Sequence, residues 1–223
     1  MVCFFPGQTV TGGTRPPLIY DYGGFPAASC QLKYPAAGNP ALAARVVALL
    51  RTAGHPAADV SPDRGWDHGV FVPLMLAFPD ADVPIVQLSL VAGMDPEVHW
   101  AIGQALRPLR DDGVMIVGSG SSYHNMMGFF GRVPNVAAAS AAFDAHITAA
   151  VTDESAAARR AKLLAWDQAP HARECHPPRA EEHLVPLFVA AGAARDDESG
   201  VRVYSEDNLM GSGVTVSAWQ FGG

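Results

Sequence analysis

Strand-like and helix-like segments alternate along this 223-residue chain, which predicts an α/β fold: a layered α/β domain with a central mixed sheet flanked by helices. Three observations carry the prediction. The apolar runs Val83–Val91 and Val114–Val117 have the length and branched composition of buried strands. Capped segments with apolar residues at helical spacing lie before, between and after them. The tail from Val201 alternates and ends in Val214–Phe221, a last strand. No repeat and no low-complexity linker divides the chain, so a single domain over residues 1–223 is expected.

The elements follow in order. The opening, up to Pro35, is rich in Gly, Pro and Tyr and reads as irregular. Asn39 and Pro40 suit the N-cap and first position of a helix that carries Leu42, Val46, Val47 and Leu50 and stops at Gly54. Trp66-Asp67-His68-Gly69 leads into the apolar Val70–Phe78, and Pro79–Asp82 is a turn. Asp95-Pro96 opens a helix running to about Arg110, closed by Asp111-Asp112-Gly113. After Val114–Val117 comes the small-residue loop Gly118-Ser119-Gly120-Ser121-Ser122, then Tyr123-His124-Asn125. Asn135 caps an Ala-rich helix with Ile147 and Val151 on its later turns, and a further helix spans about Ser155–Trp166. A polar loop with His171, Cys175 and His176 precedes a helix from about Glu181 to Ala191, marked by Leu184, Leu187, Phe188 and Ala191.

Composition excludes several function classes. Hydrophobic residues make up 49% and charged residues 17%, enough apolar material for a sizeable core. The net charge of −7 argues against a nucleic-acid partner, whose phosphates require a basic patch. No apolar run is long enough to cross a membrane. The start has no charged n-region, and the three cysteines (Cys3, Cys30, Cys175) are odd in number and widely spaced. A reducing, cytoplasmic compartment is the expectation.

Histidines carry the candidate chemistry. His124 follows a buried strand through a Gly/Ser loop, the place where sites form beyond strand ends in α/β sheets. There an imidazole serves as metal ligand or acid/base, or simply bonds the backbone. His183, beside Glu181 and Glu182, opens a helix; it is a potential ligand for iron or zinc, or an exposed residue next to two helix-favouring glutamates. His68 could orient or protonate a bound ligand, or pair with Asp67 in a turn. Gly118-Ser119-Gly120 lacks the third glycine of a dinucleotide fingerprint, and no G-x-S-x-G elbow occurs. Cys175 near His171 and His176 hints at a thiol nucleophile without a visible scaffold. His99 and His146 read as packing or surface residues.

One ordered set of segments is distinctive. Ile19–Pro26 (IYDYGGFP), Leu32–Ala36 and Asn39-Pro40 are followed by Trp66–Gly69, Val72–Leu74, Phe78–Asp82 and Pro84–Leu90. Val117–Gly120, His124-Asn125 and Glu182–Leu187 complete it. This set resembles the 4,5-DOPA extradiol dioxygenases, within the class III extradiol ring-cleaving dioxygenases, from about Leu18 to Phe221. The resemblance implies a mononuclear Fe(II) or Zn(II) centre, a small catechol substrate such as DOPA, and ring opening with both atoms of O₂. By it, His183 matches a metal ligand, His124 an acid/base histidine sometimes counted as a ligand, and His68 an active-site histidine near the substrate. Family members also carry His-Gly-Ser-Pro and Ser-Ala/Gly-His-Trp segments, each with a metal-binding histidine. This chain has no His before His55. Three explanations stand: an N-terminally incomplete chain, which is the expectation for its ancestry; a non-catalytic remnant acting as a binding or interaction domain; or recruitment of His171 or His176. Exposed strand edges would favour a homodimer or aggregation.

Overall fold

The computed structural model describes residues 8–222. The opening Met1–Gly7, with Cys3, lies outside the described residues. Chain contacts divide the remainder into two compact units, residues 8–92 and 93–222. Helices alternate with strands in the first, and a run of helices precedes a hairpin in the second; the α/β expectation holds, with the strands of the described residues gathered into two small sheets rather than one central mixed sheet.

In the first unit, β1 (Thr9–Thr11) runs parallel to β2 (Asp59–Ser61), with Val10 opposite Val60. β1 lies in the opening that reads as irregular from sequence, and no element is expected at β2; three residues are too few for a visible alternation. The expected strand Val83–Val91 is extended and partly paired. Val10 bridges Leu88 in antiparallel fashion, and Thr11 N–H donates to the Gln87 carbonyl at 2.9 Å. α1 (Pro40–Thr52) matches expectation: Asn39 accepts from the Leu42 amide at 3.0 Å, and Val46, Val47 and Leu50 are buried. Gly54 follows with φ +92°, a backbone state a side chain resists. The apolar run after His68 is helical, α2 (His68–Ala77). Its core is Tyr34, Ala36, Trp66 and Phe71, packed by Leu18, Tyr22, Leu74 and Ile85.

Asp67 turns into this unit's interior. Gln87 Nε2 donates to its carboxylate at 2.5 Å, and Arg64 lies 3.4 Å away, both partners being buried. Burial pushes the Asp67 carboxyl up against the pull of the Gln87 bond. Asp67 is therefore a core polar group rather than a turn partner of the His68 ring.

The second unit starts with α3 (Pro96–Leu106). Asp95 caps it through the amides of Glu97 and Val98, and a 3₁₀ turn, Arg107–Asp112, extends it to Gly113 at φ +76°. α4 (Met126–Phe129) is a single turn capped by Asn125. α5 (Val136–Val151) buries Phe143, Ile147 and Val151. Asn135 precedes α5 in the left-handed region and makes no side-chain cap, unlike the expected role. α6 (Ala156–Leu164) is capped by Ser155. The stretch read as a polar loop contains the helical turn α7 (Ala172–Cys175), and Cys175 and His176 are fully buried. α8 (Val185–Ala193) begins four residues later than expected. β3 (Gly200–Leu209) and β4 (Val214–Phe221) form an antiparallel hairpin with α5 against β4.

The expected strand Val114–Val117 is a correction. The segment is extended, but Met115, Ile116, Val117 and Gly118 make no main-chain hydrogen bond among the described residues. A ladder needs a neighbour. Here the segment instead borders a groove of about 600 Å³ with β4 opposite and Leu187 and Ala190 of α8 also on its lining.

α3 and α8 cross with their backbones in contact. A Cβ on Gly103 would collide with the Val189 carbonyl, and one on Gly192 with the Trp100 carbonyl. Gly103→Ala is expected to lower unfolding free energy by about 1–3 kcal/mol, the usual cost of overpacking, measured by urea denaturation. Elsewhere, Arg110 holds Glu198 at 2.5 Å, and this bond outweighs burial to pull the Glu198 carboxyl down to about 2. A depressed folded-state pKa gives stability that is present above the unfolded value and lost as pH falls through the folded one. Tm should therefore decline between about pH 4.5 and 2, and Glu198→Gln should lower Tm at neutral pH while flattening that decline.

Candidate metal centre

The small-residue loop is built for close approach. A Cβ on Gly118 would sit 2.6 Å from the Pro186 carbonyl, and one on Gly120 would collide with the His183 carbonyl. Bare glycines let the chain lie directly on the start of α8. Ser121 N–H then donates to the His183 carbonyl at 2.8 Å. The Gly118-Ser119-Gly120 element is thus a backbone seat, in keeping with its poor match to a nucleotide fingerprint.

Past the seat, the loop is pinned from several sides. Ser122 Oγ donates to Asp144 at 3.1 Å and accepts from the Ser217 amide at 3.1 Å; Ser217 Oγ donates to the other Asp144 oxygen at 2.8 Å. His176 Nε2–H donates to the Ser122 carbonyl at 3.0 Å. Burial holds the His176 imidazole neutral, pushed down to about 4. His124 N–H donates to the Cys175 carbonyl at 3.1 Å, and Asn125 Nδ2 to the Glu174 carbonyl at 2.8 Å. The 174–176 turn is therefore a brace behind His124.

These constraints bring two distant histidines together. The rings of His124 and His183 stack with centroids 3.5 Å apart and planes at 24°. Glu182 Oε1 lies 3.8 Å from His124 Nδ1, while its neighbour Glu181 is taken by Arg173 at 2.5 Å. Ligand atoms of His124, Glu182 and His183 all lie within 4.8 Å of one another, and all three residues are partly buried. Two imidazoles and one carboxylate are a donor set suited to a divalent ion such as Fe(II) or Zn(II). An imidazole binds a metal ion only in its neutral form, so metal binding and proton binding compete at these rings.

Sequence reasoning passed over Glu182, reading it as a helix-favouring glutamate. Its signal was adjacency: a carboxylate beside a candidate histidine in the turn before α8. Neither suggested replacement histidine joins the cluster. His176 is spent on Ser122, and His171 pairs with Glu174 at 2.8 Å. Cys175 is no nucleophile: burial raises its thiol to about 12. His99 is buried and bonds the Asp95 carbonyl, as a packing residue should.

His68 belongs to the first unit, at the first position of α2. Its Nδ1 lies 2.7 Å from Asp21 Oδ1, and its ring meets Tyr22 edge-on at 5.6 Å.

Comparison with known proteins matches the chain to one family. Residues 5–217 fit the signature described as the catalytic LigB subunit of aromatic ring-opening dioxygenase. The chain is 42% identical to "Dioxygenase tasH" of Hapsidospora irregularis over 96% of its own length and 67% of that protein's. It is 41% identical to the 4,5-DOPA dioxygenase extradiol of Beta vulgaris, over 84% of this chain and 68% of the relative. The crystal structure of an uncharacterized Escherichia coli K12 protein superposes with a TM-score of 0.75 at 28% identity, covering 97% of this chain and 82% of the other. The family expected from the ordered motifs is therefore the one found, and the chain belongs to the LigB family of aromatic ring-opening dioxygenases.

Proposed function

We propose that this protein is a metal-dependent extradiol dioxygenase that opens the ring of a catechol such as DOPA. The observation that carries the reading is the convergence of His124, His183 and Glu182. In this reading His183 and His124 hold a single Fe(II) or Zn(II), and Glu182 supplies the carboxylate. The ion would offer a common anchor for the two catechol oxygens and for O₂, so that the reactants meet in one place.

The protein's own groups do the rest. The glycine seat and the 174–176 brace fix the backbone that carries both imidazoles, and the stacked rings turn about their side-chain bonds to direct their nitrogens at one ion. Glu182 balances cationic charge next to His124. By the family likeness, His124 serves as acid/base or ligand, and His68 is the histidine assigned to orient or protonate the substrate as the ring opens. Relatives named as 4,5-DOPA dioxygenases support the catechol assignment.

Two measurements test this. Oxygen uptake with DOPA after loading with Fe(II) or Zn(II) should fall on the order of 10²-fold or more in His124→Ala and in His183→Ala. Equal activity in all three proteins removes the assignment. Metal content after dialysis should be near one ion per chain in the native protein, and Glu182→Gln should bind the ion at least roughly tenfold more weakly. No bound metal in the native protein would favour the non-catalytic reading.

A further inference from the structure

Two aspartates compete for the role of partner to His68. Asp67 is adjacent in sequence, but its carboxylate faces inward to Gln87 and Arg64. Asp21, 47 residues away, faces the ring instead. One oxygen of Asp21 takes two bonds from the same residue: the His68 backbone N–H at 3.1 Å and the ring Nδ1 at 2.7 Å. The Asp21 side chain is only 7% exposed. It also stands at the N-terminus of α2, where Asp67 makes no side-chain cap, and an anion there is favoured. Burial raises the Asp21 carboxyl, yet the His68 bonds prevail and hold it below its usual value. Asp21 is therefore an acceptor only, and Nδ1 must be the donor.

We propose that Asp21 is the positioning residue of His68, locking the ring in its Nδ1–H tautomer and fixing its orientation. The geometry is that of a carboxylate–imidazole pair, in which the acid orients the ring and stabilises its charged form without itself taking the proton. The Tyr22 ring packs edge-on to the imidazole at 5.6 Å, which limits rotation. Ionisable groups near the pair include Tyr22, whose ring meets that of His68, and Asp67, which senses the Asp21 charge and is itself paired with Arg64. The catalytic consequence rests on the reading of His68 as a substrate-contacting group; the tautomer does not.

Nitrogen-15 NMR of the imidazoles in the full chain, with His68 assigned by its loss in His68→Gln, tests the tautomer directly. The expected result is a protonated Nδ1 in the native protein near neutral pH and loss of that preference in Asp21→Ala. A native Nε2–H tautomer, or an unchanged spectrum in Asp21→Ala, overturns the proposal without any need for the variant to be active. With DOPA as substrate, Asp21→Asn should lower kcat on the order of 10²-fold with KM changed less than about threefold. An unchanged kcat overturns the positioning role. Unchanged turnover in His68→Gln overturns the reading on which that role rests, and the NMR result separates this failure from failure of the Asp21 assignment.

Discussion

The contact of bare backbone on bare backbone at Gly118 and Gly120 is the constraint from which the candidate metal centre follows. Two carbonyls of the α8 entrance, those of Pro186 and His183, occupy the space a Cβ would need. Only glycine admits them, and only that closeness lets the Ser121 amide reach the His183 carbonyl. The three residues beyond it place His124 over the His183 ring. A side chain at either glycine would push the loop off the helix and pull the imidazoles apart, with no ligand residue touched.

Behind the rings the second unit holds an unusual amount of buried polarity. Asp144, Ser122, Ser217 and His176 form one connected network that joins α5, β4, the loop and the α7 turn. Such groups cost free energy when unsatisfied, so each fixes the position of the next. His176 is an instructive member, since its Nδ1 is buried with no partner, a cost tolerated for the bond from Nε2 to the Ser122 carbonyl. Cys175, the neighbour of His176, takes the backbone N–H of His124, where rigidity matters for a group that must hold or exchange protons.

Local patterns were legible in the sequence where one force dominates. The caps Asn39 and Asp95 and the apolar faces of α1 and α5 were readable because each depends on neighbours within one turn. The hairpin strand Val214–Phe221 was readable from alternation. β1 and β2 were not, since three-residue strands are specified by their partners and not by themselves. The histidines of interest were legible as types in suggestive places, and their family context as an ordered set of motifs. The choice between Glu181 and Glu182, the burial of His176 and the pairing of Asp21 over Asp67 depend on contacts between distant segments, which no local pattern encodes.

The segment Met115–Gly118 has a consequence for how the chain is anchored. It is suspended between the Val114 amide bond to Leu109 and the glycine seat, with no main-chain hydrogen bond among the described residues in between. Among the described residues its main-chain anchors therefore lie at its two ends, and between them it is held through the side-chain lining it shares with β4 and α8. The residues immediately after it are clamped by α8 and the Asp144 network. Gly118 is thus where a stretch anchored through side chains gives way to one anchored through its backbone, and the imidazole of His124 lies on the backbone-anchored side.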